Sequence, residues 1–410
     1  MNITEEAKTN MNKMLNEFCC FNNAFPKSIM STSDTIIKNL YDEMYKSYNY
    51  ANRIMKSSCF KARLVKIDVI SQLPKPNMYS THFFPSEAKT FVDNNAEYWL
   101  KYSCKINKRK VNINFVLFKD KYSLTKYGEY VKKIYMWIHF LHTYALNTCS
   151  KELDIYLYMT PLQKKLPTNQ LVVLSPEHAN TAFTTGCQKR TEIIIYRKEE
   201  WFKVLLHESF HSFGLDFSSE NQTKLNKAIK NMFPIQSEFN LYEAYCETWA
   251  RIFNCLFMCF DPAYKKNTNE FVTCVNENLE IECNFSLFQT VKILRFMELK
   301  YENLFANDTY SKEARQQLYR EKTNIFAYYV CTNILLCNYP YFLQWCKENN
   351  TSLLRFSKRP SNLDSFLELI QSKYKTTELI KNVKCMEKKL RTNVSNELYT
   401  SMRMSILELK

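Results

Sequence analysis

Glycine is scarce in this sequence: Gly128, Gly186 and Gly214 are its three glycines among 410 residues. So few glycines exclude a glycine-rich phosphate-binding loop, which needs several of them to bring its backbone close to the phosphates. Turns must therefore depend on Asn, Asp and Pro, which tolerate or pre-set turn dihedral angles. Where a glycine does occur directly after a helical segment, as Gly214 does, we expect it to cap the helix.

Long hydrophobic runs are also missing. The apolar run FNCLFMCF at 253–260 is far shorter than the roughly 20 residues of a membrane span. The polar N-terminus MNITEEAKTNMNKMLNEF has no hydrophobic signal core. We therefore expect no membrane span and a cytoplasmic protein. A composition of 46% hydrophobic and 24% charged residues is that of an ordinary globular chain.

The sequence contains no C-x-x-C motif, although it has 15 cysteines. An odd number of cysteines without a secretory signal argues against a disulfide framework. Cys255 and Cys259 are four apart on an apolar helical segment, where buried free thiols are expected. The cysteines are therefore predicted to be reduced and structural.

The net charge of +15 raises the question of a nucleic-acid partner. However, the lysines are spread along the chain, and the densest basic cluster, KINKRK at 105–110, is predicted to be a hairpin turn. No RNA-recognition signature or zinc finger is present. A solvated basic surface is favoured over nucleic-acid binding, and the sequence does not determine the oligomeric state.

Hydrophobic periodicity divides the chain into three regions. Residues 1–95 combine a helix over 33–59, capped by Ser33 or Asp34, with a strand over 62–70. Residues 96–262 alternate strands and helices. Residues 263–410 are predicted to be successive helices, among them 324–349 and 377–390. The predicted middle strands are 98–106, 110–118, 153–160, 170–174, the edge segment 180–185 and 191–197, with helices at 126–149, 199–213 and 240–253.

The helix predicted at 199–213 carries the motif H-E-x-x-H as His207, Glu208 and His211. Residues four apart in a helix lie on one face, so the two imidazoles can bind the same zinc ion. Glu208 projects to the side of that face, where it can reach a water. Zinc activates such a water toward a carbonyl group, and a neighbouring glutamate can take the proton. The motif therefore predicts a hydrolytic metal site.

An ordinary buried helix with hydrogen-bonded histidines is the alternative interpretation. The residues around the motif are apolar: Val204, Leu205, Leu206 and Phe210. Burying three polar groups among them without a metal would cost about a few kcal/mol, and we therefore favour a metal. A second pair, His139 and His142, has no acid nearby and is assigned to packing.

A catalytic zinc ion needs a third protein ligand. Gly214 and Asp216 follow the motif, but Phe217 occupies the position of the third histidine in the metzincin pattern H-E-x-x-H-x-x-G-x-x-H. The helix at 240–253 offers Glu243 and Glu247, four apart on one face. Helix geometry does not choose between them, and Asp216 is the next ligand to consider. Two tyrosines beside Glu243, Tyr242 and Tyr245, are candidates for stabilising an oxyanion.

H-E-x-x-H followed by E-x-x-x-E on a second helix resembles the gluzincin signature, and YEAYCETWA looks most like the anthrax lethal factor group. The resemblance covers roughly residues 96–260. It implies an α+β fold with a zincin-like core, a twisted mixed sheet with an active-site helix, followed by a helical C-terminal region. It also implies one zinc ion per chain, with His207, His211 and Glu243 as ligands, Glu208 as the base, and Glu247 orienting a ligand histidine.

The segment NTAFTT at 180–185 stands where such enzymes have the edge strand that binds substrate backbone. Thr181, Ala182 and Phe183 are therefore expected to bind substrate. The implied function is a zinc-dependent metallopeptidase acting on a protein or peptide. The alternative is a catalytically inactive zincin-like protein with a viral structural or host-interaction role, because the composition resembles that of zincin-like proteins of large DNA viruses. Such a protein would reside in the host cytoplasm or the virion.

Overall fold

The computed structural model describes residues 3–57, 61–118, 123–390 and 397–410. Within these ranges the chain forms a mixed α+β fold with one six-stranded sheet and many helices. The strands are β1 (Lys61–Lys66), β2 (Tyr98–Ile106), β3 (Arg109–Leu117), β4 (Glu152–Tyr158), β5 (Ala182–Thr184) and β6 (Arg190–Ile195). The helices of the first two thirds are α1 (Glu5–Glu17), α2 (Lys27–Lys56), α3 (Ser86–Asn95), α4 (Leu124–Leu141), α5 (Pro176–Ala179), α6 (Trp201–Ser212), α7 (Thr223–Met232) and α8 (Leu241–Cys259).

The last third is helical, as predicted. Its helices are α9 (Thr268–Phe296), α10 (Thr309–Leu318), α11 (Thr332–Leu336), α12 (Tyr339–Asn349), α13 (Pro360–Lys373), α14 (Thr377–Leu390) and α15 (Glu397–Thr400). A π-helical segment, Phe326–Cys331, leads directly into α11. None of the helices in the described ranges is long and apolar enough to cross a membrane.

The sheet has the strand order β1-β2-β3-β4-β6-β5. The first three strands are antiparallel to one another, β3, β4 and β6 are parallel, and β5 pairs antiparallel with β6 at one edge. Two parallel strands need a crossover, which α4 provides between β3 and β4. The basic hairpin between β2 and β3 turns at Asn107, whose positive φ of 52° is a conformation that Asn tolerates.

The two faces of the sheet belong to different clusters because successive strand residues point to opposite sides. Ile193 and Ile195 of β6 lie in the large core, together with most helices, whereas Ile194 joins a smaller cluster under α3. The large core extends from Ile3 to Leu409, and these two residues form a β-bridge. The three regions predicted from the sequence therefore share one core.

Two predicted elements differ from the structure. The helix predicted over 33–59 begins at Lys27, after Pro26, and Ser33 is buried inside it rather than capping it. Proline is compatible with a helix start because it needs no backbone N–H there. No strand forms over 170–174: Leu171 is exposed, and only Leu174 makes an isolated bridge, to Glu321.

Six cysteines form disulfides, so the prediction of reduced cysteines is wrong for them. The pairs are Cys20–Cys385, Cys149–Cys187 and Cys259–Cys274. The first pair is separated by 365 residues, and only tertiary folding brings its members together. Spacing in the sequence could not reveal such a pair. Cys255 is free and buried, as predicted, and Cys59 lies outside the described residues.

Candidate metal centre

The two helices that carry the sequence motifs, α6 and α8, pack side by side. His207 and His211 are one turn apart on α6, and Glu243 and Glu247 are one turn apart on α8. Each pair therefore lies on one face of its helix. The two faces meet, so all four side chains come together in the interior. The ring of Phe210 on α6 packs at 6.4 Å from Trp249 on α8 and supports this contact.

Three atoms form a compact triangle. His207 Nε2 lies 3.0 Å from Glu243 Oε2 and 3.2 Å from His211 Nε2. His211 Nε2 lies 3.5 Å from the same Glu243 oxygen. Ligand bonds of 2.0–2.1 Å in a tetrahedral site separate the ligand atoms by about 3.3 Å. The three atoms therefore have the spacing of three ligands around one small metal ion.

The other nitrogen of each imidazole faces a carboxylate. His207 Nδ1 lies 3.0 Å from Glu247 Oε2, and His211 Nδ1 contacts Asp216 Oδ2. A carboxylate accepts a hydrogen bond, so each Nδ1 is the donor. With the proton on Nδ1, an imidazole that gives up its second proton has a lone pair on Nε2 for a metal in the triangle. Such carboxylate–histidine pairs fix the tautomer of a metal ligand. Asp216 thus has the orienting position at His211 that Glu247 has at His207.

The turn after α6 explains how Asp216 reaches His211. Gly214 N–H donates to His211 O and Leu215 N–H donates to Phe210 O, which is the Schellman pattern at a helix C-terminus. Gly214 has a φ of +67°, as the predicted cap requires, and a Cβ there would lie 3.1 Å from Cys149 Sγ. The chain therefore reverses at this glycine and brings Asp216 back onto the helix. Ser218 fixes Asp216 Oδ1 with its N–H and hydroxyl.

Charge in this interior is unbalanced. Lys203 Nζ donates to both oxygens of Glu247 at 2.9 and 3.1 Å, and Arg251 Nε donates to one of them at 3.0 Å. Two cationic side chains and four carboxylates therefore surround the two imidazoles. These carboxylates are Glu208, Asp216, Glu243 and Glu247. Burial lowers the pKa of both imidazoles, but the acidic groups around them outweigh this and raise it. Either two protons on the rings or one divalent cation in the triangle would therefore balance the two excess negative charges. The donor set therefore fits such an ion.

Glu208 is buried beside the triangle, and its carboxylate makes no hydrogen bond to any described residue. Burial raises the pKa of this carboxyl, and the nearby imidazoles of His207 and His211 act in the opposite direction. A small cavity of about 30 Å³ opens here, and both Glu208 and His207 line it. Glu208 is therefore placed to act on a molecule in the cavity rather than on another side chain.

Tyr328, which the sequence analysis missed, lines the same cavity. Its ring lies 5.9 Å from that of His207. Burial raises the pKa of Tyr328 well above its ordinary value, so the group is a hydroxyl donor. It belongs to the π-helical segment, a local irregularity often found at functional sites. Only tertiary folding brings this segment to the motif.

The two tyrosines suggested by the sequence have different surroundings. The Tyr245 hydroxyl donates to Leu354 O and accepts from Asn350, so it is engaged in packing. The ring of Tyr242 lies 5.8 Å from that of His211 and remains close to the centre.

A further group of possible ligands consists of His211, Asp216 and Cys246. Cys246 Sγ lies 3.7 Å from Asp216 Oδ2 and 3.8 Å from His211 Nδ1. A metal there would have to replace the contact between His211 Nδ1 and Asp216. The Nε2 side of His211, which keeps this contact, is therefore the better candidate position for a metal.

The pair His139 and His142 is part of the packing, as expected. His139 Nδ1 lies 2.9 Å from Ser47 Oγ and its ring stacks on Tyr50. His142 Nδ1 lies 2.7 Å from an Arg109 nitrogen, which leaves no place for a cation.

The edge segment predicted to bind substrate borders the cavity. Thr181 and Ala182 line it together with His207, whereas the ring of Phe183 packs on the opposite side of the sheet, 6.1 Å from that of Phe84. Tyr196 N–H donates to Thr181 O, and hydrogen-bonded pairs alternate along an antiparallel ladder. The backbone groups of Ala182 therefore point away from β6, toward the open edge.

Comparison with known proteins identifies no family for this chain. No model of a known protein family matches the sequence, and no solved structure matches it. An uncharacterized protein of Acanthamoeba polyphaga mimivirus is 27% identical over 207 residues, which are 50% of this chain and 50% of that protein. The chain thus matches about half the length of this viral relative.

Proposed function

We propose that this protein is a zinc-dependent metallopeptidase with a zincin-like core. The observation that carries the proposal is the triangle of His207 Nε2, His211 Nε2 and Glu243 Oε2, with separations of 3.0–3.5 Å. Two imidazoles and one carboxylate, with a position left for water or substrate, are the ligand set of a catalytic zinc site. Bound there, zinc would supply Lewis acidity toward a carbonyl oxygen and would acidify a water molecule.

The side chains around the triangle have the properties that peptide hydrolysis needs. The Glu208 carboxylate makes no hydrogen bond to any described residue. It can therefore accept a proton from a water in the cavity and return it to the leaving amine. The hydroxyl of Tyr328 can donate to the oxyanion that develops on the attacked carbonyl. Glu247 and Asp216 hold the two imidazoles in one orientation.

The edge strand β5 can pair with an extended substrate. The free backbone N–H and C=O of Ala182 can pair with a peptide strand, which would lie along the cavity wall. Main-chain pairing of this kind binds peptides with little dependence on their sequence. It supports a protein or peptide as the substrate class.

Cleavage of a peptide library by the purified chain and by Glu208→Gln tests the proposal. The substitution keeps the shape of the side chain and removes the base, so cleavage should fall on the order of 10²–10⁴-fold while zinc stays bound. Glu177→Gln is the matched control. This acid is exposed, lies outside the cavity lining and pairs with His178, and the variant should retain full activity.

Two results of this cleavage experiment would contradict the proposal. Equal cleavage by Glu208→Gln and the unchanged chain would show that the catalyst lies elsewhere. A chain that holds zinc and cleaves no peptide would favour the alternative, a catalytically inactive zincin-like protein with a viral structural or host-interaction role.

A further inference from the structure

Residues 402–409 are buried although they form no regular helix or strand of the sheet. We call this segment the buried strap. Seven of its eight residues are buried, Glu408 being the partly exposed one. A buried segment without regular structure must find other partners for its backbone polar groups.

Two buried acids supply many of these partners. The Glu200 carboxylate, at the start of α6, accepts from Met404 N–H at 3.1 Å and Ser405 N–H at 2.6 Å. The Glu282 carboxylate, on α9, accepts from Ile406 N–H and Leu407 N–H, each at 3.0 Å. Burying carboxylates costs free energy unless they are paired. The carboxylates of Glu200 and Glu282 thus bind the strap, and the strap's N–H groups offset the cost of burying them.

The strap reaches the metal centre through Met404. Met404 Sδ lies 3.8 Å from Lys203 Nζ, and both residues line the cavity beside His207. The same Lys203 nitrogen donates to both oxygens of Glu247, and Glu247 Oε2 lies 3.0 Å from His207 Nδ1. Two side chains therefore connect the strap with the carboxylate that orients a triangle histidine.

Lys203 depends on the strap for its position. Its ammonium has three donors and is only 2% exposed. Two of them are directed to Glu247, and Met404 covers the third. Without Met404, water could enter the cavity and compete for this ammonium, and the Glu247 carboxylate would lose its fixed geometry. A ligand histidine with a mobile partner binds metal less tightly.

We propose that the buried strap is a part of the metal centre, in which Met404 and Lys203 are positioning residues that fix Glu247 and, through it, His207. The inference rests on the proposed metal site but not on peptidase activity. Because coupling between two equilibria is reciprocal, metal binding should also tighten the strap.

The first experiment compares two buried lysines. Lys203→Met removes the ammonium next to Glu247. Lys292→Met is the matched control: Lys292 is 4% exposed and donates to the backbone oxygens of Leu398 and Ser401, so it anchors the chain before the strap without touching the centre. Zinc affinity is measured by competition with a chelator, and ligand geometry by the visible absorption of the cobalt-substituted protein.

The proposal predicts that Lys203→Met lowers zinc affinity about 10–100-fold and changes the cobalt spectrum. Lys292→Met should lower thermal stability and change neither readout. Equal effects of the two variants on zinc affinity, or no effect of Lys203→Met, would overturn the proposal. A chain that binds no zinc would overturn the metal site and this inference together, whereas one that binds zinc without cleaving peptides would affect only the proposed peptidase.

The second experiment uses the intact chain and addresses the strap itself. Amide hydrogen exchange is followed with and without zinc at Met404, Ser405 and Leu407, and at the β2–β3 pair, which is remote from the β5 edge. Zinc should slow exchange in the strap more than in β2–β3. Slowing of the same size in both places would show only general stabilisation and would contradict the coupling.

Discussion

Glu243 and Glu247 are one turn apart on α8, yet their carboxylates face different atoms of the same imidazole. Glu243 Oε2 is 3.0 Å from His207 Nε2, and Glu247 Oε2 is 3.0 Å from Nδ1. One side of a ring can bind a metal while the other donates to an orienting group. The sequence alone could not separate these two glutamates, because both project from one helical face.

This difference predicts the result of two substitutions. Glu243→Ala removes a proposed ligand and should lose most of the zinc. Glu247→Ala removes an orienting partner and should lower affinity or activity about 10–100-fold, with zinc retained at saturating concentration. Because Glu247 also binds Lys203 and Arg251, its variant should be the less stable of the two.

Metal titration of both variants checks this. Should Glu247→Ala empty the site while Glu243→Ala keeps its zinc, the two roles must be exchanged.

Tyr328 carries a second prediction at the residue scale. Tyr328→Phe removes the hydroxyl and keeps the ring against His207. Loss of one oxyanion donor typically lowers kcat by about 10²–10³-fold, and we expect a decrease of this order with unchanged zinc content. Steady-state kinetics of Tyr328→Phe and Tyr242→Phe would distinguish the two hydroxyls. A large loss in Tyr242→Phe alone would assign the role to Tyr242.

The residues that the sequence revealed and those that it concealed differ in one physical respect. The pair His207 and His211 and the pair Glu243 and Glu247 lie at helical spacings that periodicity in the sequence exposes. Tyr328 reaches the site through tertiary packing, and no spacing in the sequence points to it. Lys203 lies four residues before His207 on α6, but its contact with Glu247 depends on how α8 packs against this helix. Asp216 is an intermediate case. The sequence indicates it as an alternative ligand, but its contact with Nδ1 of His211 depends on the Schellman turn at Gly214, which the structure shows.

At the scale of elements, amphipathic patterns predicted most of the helices and strands. The helix over 377–390 was expected with the bounds that α14 has. The stretch 324–349, in contrast, was expected as one helix and instead contains a π-helical segment, α11 and α12. Its break precedes Pro340, which cannot continue a helix from the preceding turn. The strand expected over 170–174 had the right residue types but no strand to pair with.

The edge strand β5 carries a prediction at this scale. Ala182→Pro removes an N–H that points away from β6, so the pairing within the sheet should remain. An extended substrate would lose one hydrogen bond, worth about 0.5–1.5 kcal/mol, and KM should rise about 2–12-fold. Kinetics with a long peptide would measure this. An unchanged KM with intact zinc binding would exclude β5 as the substrate-pairing edge.

At the scale of the whole molecule, the proposed metal centre lies where the parts of the chain converge. The sheet supplies the edge strand, α6 and α8 supply the triangle, the π-helical segment supplies Tyr328, and the strap closes the cavity through Met404. A site assembled from such distant segments concentrates buried charge in the common core. The proposed cation would therefore stabilise the fold as well as supply chemistry.

Metal analysis of the purified chain tests this account most directly. The protein is prepared without chelators and its zinc is measured by elemental analysis, beside His211→Ala and the control His139→Ala, whose imidazole is packed against Ser47 and Tyr50. One zinc ion per chain is expected in the unchanged protein and in His139→Ala, with most of it lost in His211→Ala. A protein without zinc, or equal zinc in all three, would contradict the assignment of His207, His211 and Glu243 as a metal site.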